Sequence, residues 1–347
     1  MMIKDIARKN GYSVMLLALL AALLLFFSIT KGDTLWSLGT WKGMVMQFPE
    51  YGVMALGLML CFISGNIDMS FVALGNFATI IAVRYMDSNV SENTTRGQTG
   101  NIILIAIFIT IVIAALGGLI NGALITGLKI PPVMATIAMQ LVWTGLSIAL
   151  TKGYSVTGVP ELYIEIGHGM LFGFLPIPLF VFIIIFIFIA FLLNYTTYGQ
   201  KLYMIGDNEK ASRFSAINTN GMIISTYVLC AVIASLGCLL MVSTMSSAKA
   251  DYGVSYVMRC ILILVLAGVL PDGGRGKIFN VLLSIVSIQI IASGINMFPT
   301  LNSYYSSLIW GGLLIIVLIL STKMSGDGLI ISSTKGDSCD TATTTEE

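Results

Sequence analysis

Ten apolar runs follow one another along this chain, at residues 13–30, 50–65, 69–86, 101–126, 132–150, 176–193, 222–244, 256–270, 277–297 and 304–321. A helix crossing the roughly 30 Å hydrocarbon core of a bilayer takes about 17–25 apolar residues, so nearly every run is a candidate span. The pattern predicts an all-α, polytopic transmembrane bundle of about ten spans, some short or broken, with the second and eighth the shortest. Composition agrees: 10% of the 347 residues are charged, against about 25% in soluble domains, and mean hydropathy is +0.93. A transmembrane region over 1–321 and a polar, disordered tail over 322–347, rich in Ser, Thr, Gly and Asp, are the expected divisions.

Several function classes are short of material. A net charge of +1 offers no basic surface for nucleic acid. Cys61, Cys230, Cys238 and Cys260 lie in apolar runs and Cys339 in the tail, without metal-ligand spacing, and the first four read as small buried hydrophobes. His168 is the single histidine, which leaves a His-based metal site or catalytic triad without partners. The single Gly-Lys pair, Gly276-Lys277, runs into Ile278 where a nucleotide loop needs Ser or Thr, so no ATP site is expected in this chain. Lys4, Arg8 and Lys9 before the first run resemble a secretory leader, but no small-x-small cleavage site follows and an uncleaved first span is expected.

With a cytoplasmic N-terminus, an even span count returns the C-terminus to the same side. Eleven of the 18 Lys and Arg residues then fall inside (Lys4, Arg8, Lys9, Lys129, Lys201, Lys210, Arg213, Arg275, Lys277, Lys323, Lys335), the direction that positive-inside topology requires. The loop 152–175 and the segment 246–255 fall outside.

The run from Tyr51 to Met86 would be about 54 Å long as one helix and must break. The break is written at Ser64-Gly65-Asn66-Ile67-Asp68-Met69-Ser70, where Asp68 can cap the next helix. An ionisable group between two spans is also a candidate for contact with solute, and capping explains Asp68 equally well. Asn121, Thr136 and Gln140 are polar residues inside apolar runs; gluing helices together is the ordinary role of such residues, lining a path the alternative. Asn66, Asp68, Asn121, Thr136 and Gln140 are the path candidates. Glycines interrupt apolar runs at 65 and again at 273, which hints at an internal repeat.

One polar island, 194–221, separates two long spans. Asp207 or Asn208 can cap a helix over Glu209–Ile217, and Asn218 to Gly221 can stop it. Ala211, Phe214 and Ile217 recur every third position and form one apolar stripe. So short a helix is marginal alone and needs a groove, supplied either by a cytoplasmic partner or by its own membrane domain.

These landmarks, in this order, resemble the membrane subunit of bacterial ABC importers for monosaccharides, the group that includes the ribose, xylose and autoinducer-2 permeases. The resemblance covers about residues 50–321. It rests on Gly65-Asn66-Ile67-Asp68-Met69-Ser70, on Asn121-Gly122 with Ile130-Pro131-Pro132 and Thr136, on Tyr198-Gly199 through Tyr203, Ile205 to Glu209, Ala211, Arg213 and Ile217-Asn218, and on Gly273-Gly274-Arg275-Gly276. It implies a bacterial inner-membrane permease that forms a translocation path and is not itself an enzyme. Implied partners are a second permease chain, identical or related, cytoplasmic ABC ATPases that carry the ATP–Mg, and an external solute-binding protein. The island becomes the coupling loop, with Gly206, Asp207, Asn208, Glu209, Ala211, Arg213, Phe214 and Ile217 meeting the ATPase. The chain departs from the pattern at Asn66, Ala138 and Ala267, where glycine is usual, and at Val257 and Arg259, where acidic residues are usual. Arg259 at the outer mouth would favour an anionic solute or a differently charged binding protein. A secondary transporter or channel is the alternative; it would want ionisable groups deep in its spans.

Overall fold

The computed structural model describes residues 11–91, 94–171, 173, 175–298, 308–315 and 317. Lys4, Arg8, Lys9, Lys323, Lys335, Cys339, the tail 322–347 and half of the run 304–321 lie outside the described residues. The architecture is helical: α1 (Gly11–Leu35), α2 (Leu38–Ile63), α3 (Phe71–Asn89), α4 (Arg96–Gly127), α5 (Pro132–Thr151), α6 (Glu161–His168), α7 (Ile177–Tyr195), α8 (Thr197–Asp207), α9 (Glu209–Phe214), α10 (Thr219–Met245), α11 (Val254–Leu266) and α12 (Ile278–Asn296). A two-stranded antiparallel hairpin, β1 (Met170–Leu171) and β2 (Leu175–Pro176), joins α6 to α7. The helix after this hairpin begins on Pro176 and Ile177, and α5 likewise on Pro131 and Pro132, because a missing N–H costs nothing in the first turn.

Among the described residues seven helices are long and apolar enough to cross a membrane, namely α1, α2, α4, α5, α7, α10 and α12, and α11 is a shorter apolar helix of 13 residues. The second span is not short. It begins at Leu38 and runs 26 residues, because Pro49 is carried inside a continuous helix where the apolar run had started only at Glu50. The eighth expected span is α11, shorter than the run 256–270, since the chain leaves the helix after Leu266 for an irregular stretch through Gly268, Gly273 and Gly274. The predicted break at Ser64–Ser70 stands, with α2 ending at Ile63 and α3 starting at Phe71.

The core lies around α2 and α10, which pack on each other and share the largest cluster of buried side chains. The α4–α10 approach is set by Gly118 and Gly122, one turn apart: a Cβ on Gly118 would stand 2.6 Å from the Tyr227 carbonyl oxygen, and one on Gly122 2.7 Å from the Ile224 Cα. Small residues on a helix face let backbones meet, which within a bilayer replaces the hydrophobic driving force of a soluble core. The outward faces of α4, α5 and α7 carry exposed Phe108, Leu116, Leu141, Ile187 and Phe191, the apolar coat of a lipid-embedded protein. Cys61, Cys230, Cys238 and Cys260 are buried and free, as their setting in apolar runs implied.

At the end of the bundle remote from α8 and α9, the loop 152–175 is more ordered than a plain connection. Val156 pairs with Ala248 in a β-bridge, Arg96 reaches Glu165 at 3.0 Å, and the Tyr163 hydroxyl donates to the Leu239 carbonyl at 2.8 Å.

Candidate coupling site

The polar island folds as two helices, not one. Thr196 caps α8 by accepting from the Gly199 N–H at 3.3 Å, and α8 buries Leu202 and Ile205 against the bundle. Burial pushes the Tyr203 phenol up to about 12, which keeps it a donor, and its hydroxyl donates to the Gly276 carbonyl at 2.8 Å. The last turn of α8 then meets both glycine breaks. A Cβ on Gly206 would lie 1.9 Å from the Ile63 carbonyl oxygen and 2.4 Å from the Gly274 nitrogen, while the Gly274 N–H itself donates to Ile63 at 2.9 Å. One on Gly273, at φ 83°, would lie 2.7 Å from the Gly65 nitrogen and 2.7 Å from the Gly206 carbonyl oxygen. The glycines at 65 and 273, noticed in the sequence as two separate interruptions, therefore touch, and the island is clamped backbone to backbone at their meeting point.

The predicted cap is Asn208, whose Oδ1 accepts from the Ala211 N–H at 3.0 Å; Asp207 closes α8 instead. The predicted helix over 209–217 is shorter than expected. It ends at Phe214, because Ala216 adopts φ 59° and the Ala216 and Ile217 N–H groups turn back to the carbonyls of Arg213 and Ser212, both at 3.2 Å. That paired closure is a Schellman stop, satisfying carbonyls that the helix leaves open. Asn218, expected to end this helix, begins the next one by accepting from Gly221 N–H at 3.0 Å. Ile217 thus falls outside the helix and is half-buried, and the three-residue stripe reduces to Ala211 and Phe214, both exposed. Phe214 is 94% exposed, an aromatic ring in water with Glu209 and Arg213 paired at 2.9 Å behind it. The bundle leaves this ring uncovered, although Phe214 stands at the edge of a cleft between α9 and the α4–α5 turn.

The break between α2 and α3 holds the path candidates in a buried network. Asp68 Oδ1 accepts from both the backbone N–H of Ser70 at 2.8 Å and its hydroxyl at 2.7 Å, and Asn121 donates to that hydroxyl at 2.7 Å. Asp68 does not cap α3 as expected; Ser70 holds the N-cap position, its side chain making no capping bond to the helix, and Asp68 instead folds the approach to it. Thr136 reaches the Ile67 carbonyl at 3.4 Å and Tyr227 reaches the same oxygen at 3.2 Å, so α5 and α10 both hold the break. Asp68, Asn121 and Thr136 are fully buried, Asn66 nearly so with its amide on the Ser64 carbonyl at 3.1 Å, and Gln140 stands apart, half-buried in α5. Among the described residues no cluster of His, Cys, Asp and Glu could hold a metal ion.

Residues 41–318 match the protein family described as branched-chain amino acid transport system, permease component. The chain belongs to this family. The permease is 29% identical over 322 residues to the autoinducer 2 import system permease protein LsrD of Yersinia pseudotuberculosis serotype O:1b, covering 91% of this chain and 92% of that protein. It is 28% identical over the same length to the LsrD protein of Yersinia pestis strain Pestoides F, with the same coverage. No solved structure matches it.

The permease places Arg259 five residues into α11, among three rings. Its guanidinium carbon lies 4.5 Å from the Trp310 ring centre, 5.1 Å from that of Tyr51 and 5.2 Å from that of Tyr256, a cation–π cage. Its nearby acid is Glu50, buried halfway along α2, which accepts from Thr244 at 2.5 Å and from the Tyr256 hydroxyl at 3.1 Å. Glu50 is a candidate residue that the sequence reading missed. An ionisable group inside a span is a functional candidate by default, but a second span begun at residue 50 put Glu50 on its edge. Tyr51 extends the cluster by hydrogen bonding to Gln289.

Proposed function

We propose that the permease is the membrane subunit of an ABC importer in a bacterial inner membrane, with α8, α9 and both termini on the cytoplasmic side. Its solute is a monosaccharide or a similar small polar molecule, a reading supported by the end-to-end similarity to autoinducer 2 import permeases. It works with a second permease chain, with cytoplasmic ATPases that hold the ATP–Mg, and with an external solute-binding protein, and carries no catalytic residue itself.

The observation that carries this reading is the junction of Gly206 with Ile63 and Gly274. Two short helices joined at Asn208, α9 presenting an exposed Phe214 and α8 wedged at Gly206 between two broken helices, are arranged to transmit displacement. Binding energy gained at Phe214 in an ATPase groove would shift α8, and α8 cannot move without moving the ends of α2 and the stretch after α11. Sealed vesicles holding the permease with its ATPase, loaded or not with ATP, test the reading through solute uptake that depends on internal ATP.

A second reading, a secondary transporter or channel, draws on Glu50, an ionisable group buried within α2, and on the half-buried Arg259 beside it. Uptake driven by an ion gradient with no ATP inside would select it.

A further inference from the structure

Behind α9 lies a cleft of about 640 Å³, which shares Phe214, Glu209 and Arg213 with the coupling site and Asn66 with the path candidates, and whose lysines have no role above. Its floor is apolar, made by Ile125 in the last turn of α4, Ile130 and Pro131 in the α4–α5 turn, Pro132 at the start of α5, and Ile223 in the second turn of α10. Its mouth is cationic, with Lys129, Lys210 and Arg213. The single carboxylate on the lining, Glu209, is taken by Arg213 at 2.9 Å, and neither Lys129 nor Lys210 is in an ion pair among the described residues. Lys129 is held at the mouth by a left-handed backbone, φ 56°.

Three spans end around this cleft, so it opens at the level where a bilayer passes from acyl chain to headgroup. From its edge at Pro132 an apolar track leads along α5: Val133, Ile137 and Leu141, four residues apart on one face, are 38%, 45% and 70% exposed. Two uncompensated ammonium groups above an apolar floor, with a greasy track leading away, match one ligand chemistry, a phosphodiester headgroup whose acyl chains lie along the protein. We infer that the cleft between α9 and the α4–α5 turn is a site for an anionic phospholipid of the adjoining leaflet, whose headgroup is held by Lys129 and Lys210 and braces α9 from behind. A lysine near a charged headgroup at this depth strengthens binding about fivefold.

The test uses the full chain purified in mild detergent, with native mass spectrometry of added phosphatidylglycerol and phosphatidylcholine of identical acyl chains. The wild type should retain phosphatidylglycerol preferentially, the Lys129→Ala/Lys210→Ala double variant should lose that preference by about fivefold per lysine, and Lys129→Arg/Lys210→Arg should keep it. Lys152→Ala, at the other end of the bundle, should leave it unchanged. Equal retention of the two lipids by the wild type would overturn the inference, as would an unaltered preference in the double alanine variant. Displacement of phosphatidylglycerol by millimolar inorganic phosphate would make the ligand a free anion and not a lipid. If the arginine variant loses the preference while remaining monodisperse, charge at the mouth is not what holds the ligand, and the site as assigned is wrong. Protection of Lys210 from amine labelling only when the ATPase is added would reassign the cleft to a protein contact.

Discussion

Gly206 has no room for a side chain. A methyl group there would sit inside contact distance of the Ile63 carbonyl and the Gly274 nitrogen, both backbone atoms that cannot rotate away. Gly206→Ala is expected to cost about 1–3 kcal/mol by overpacking and to lower ATP-driven uptake at least as steeply as it lowers the melting temperature. A variant with normal uptake would remove the junction from the mechanism. Arg259 and Glu50 are best separated by a double-mutant cycle. If the Arg259 cation chiefly offsets the buried Glu50 carboxylate, Arg259→Met destabilises and adding Glu50→Gln recovers part of the loss, with a coupling of about 0.5–3 kcal/mol in thermal unfolding. If Arg259 serves the solute, uptake fails in both variants and stability shows no coupling. Of these residues Arg259 was legible as an odd charge in its setting, Glu50 was not, and the difference is one of span boundaries: apolar counting begins where polar residues thin out, and Gln47, Pro49 and Glu50 delay that point in a helix that already started at Leu38.

At the scale of elements, α9 has a written start and an unwritten end. Asn208 is a side chain with one strong local use, accepting the orphan N–H of Ala211, and sequence alone narrows the cap to two neighbours. The stop depends on Ala216 entering the left-handed region, which alanine does at a cost of about 1–2 kcal/mol, so nothing in residue type announces it. Ala216→Gly is therefore expected to stabilise the end of α9 by roughly 1 kcal/mol, read as slower hydrogen exchange of the Ala216 and Ile217 amides. Asn208→Ala should act oppositely, fraying α9 by about 1 kcal/mol while leaving the spans intact. The α8 helix went unread because Leu202 and Ile205 are only two buried apolar positions among polar neighbours, and their burial is decided by the junction. That junction joins residues far apart in the chain. Glycines at 65, 206 and 273 were each visible, but their meeting is a property of the packed bundle.

Across the whole molecule the long spans and the break between α2 and α3 follow from lengths measured against a bilayer, which is why apolar counting found them. What length cannot supply is which end receives force. The end holding α8 and α9 is the proposed receiver, because there a solvent-exposed aromatic ring and a backbone junction occur within one short stretch of chain. Phe214 contributes almost nothing to the bundle, being nearly fully exposed, so Phe214→Asp should fold and insert like the wild type. The decisive measurement is retention of the ATPase on affinity-purified permease, wild type beside Phe214→Asp. Stoichiometric ATPase is expected on the first and at least a tenfold loss on the second, the order of effect expected of an aromatic hot spot; equal retention on both would rule out Phe214 as the dock.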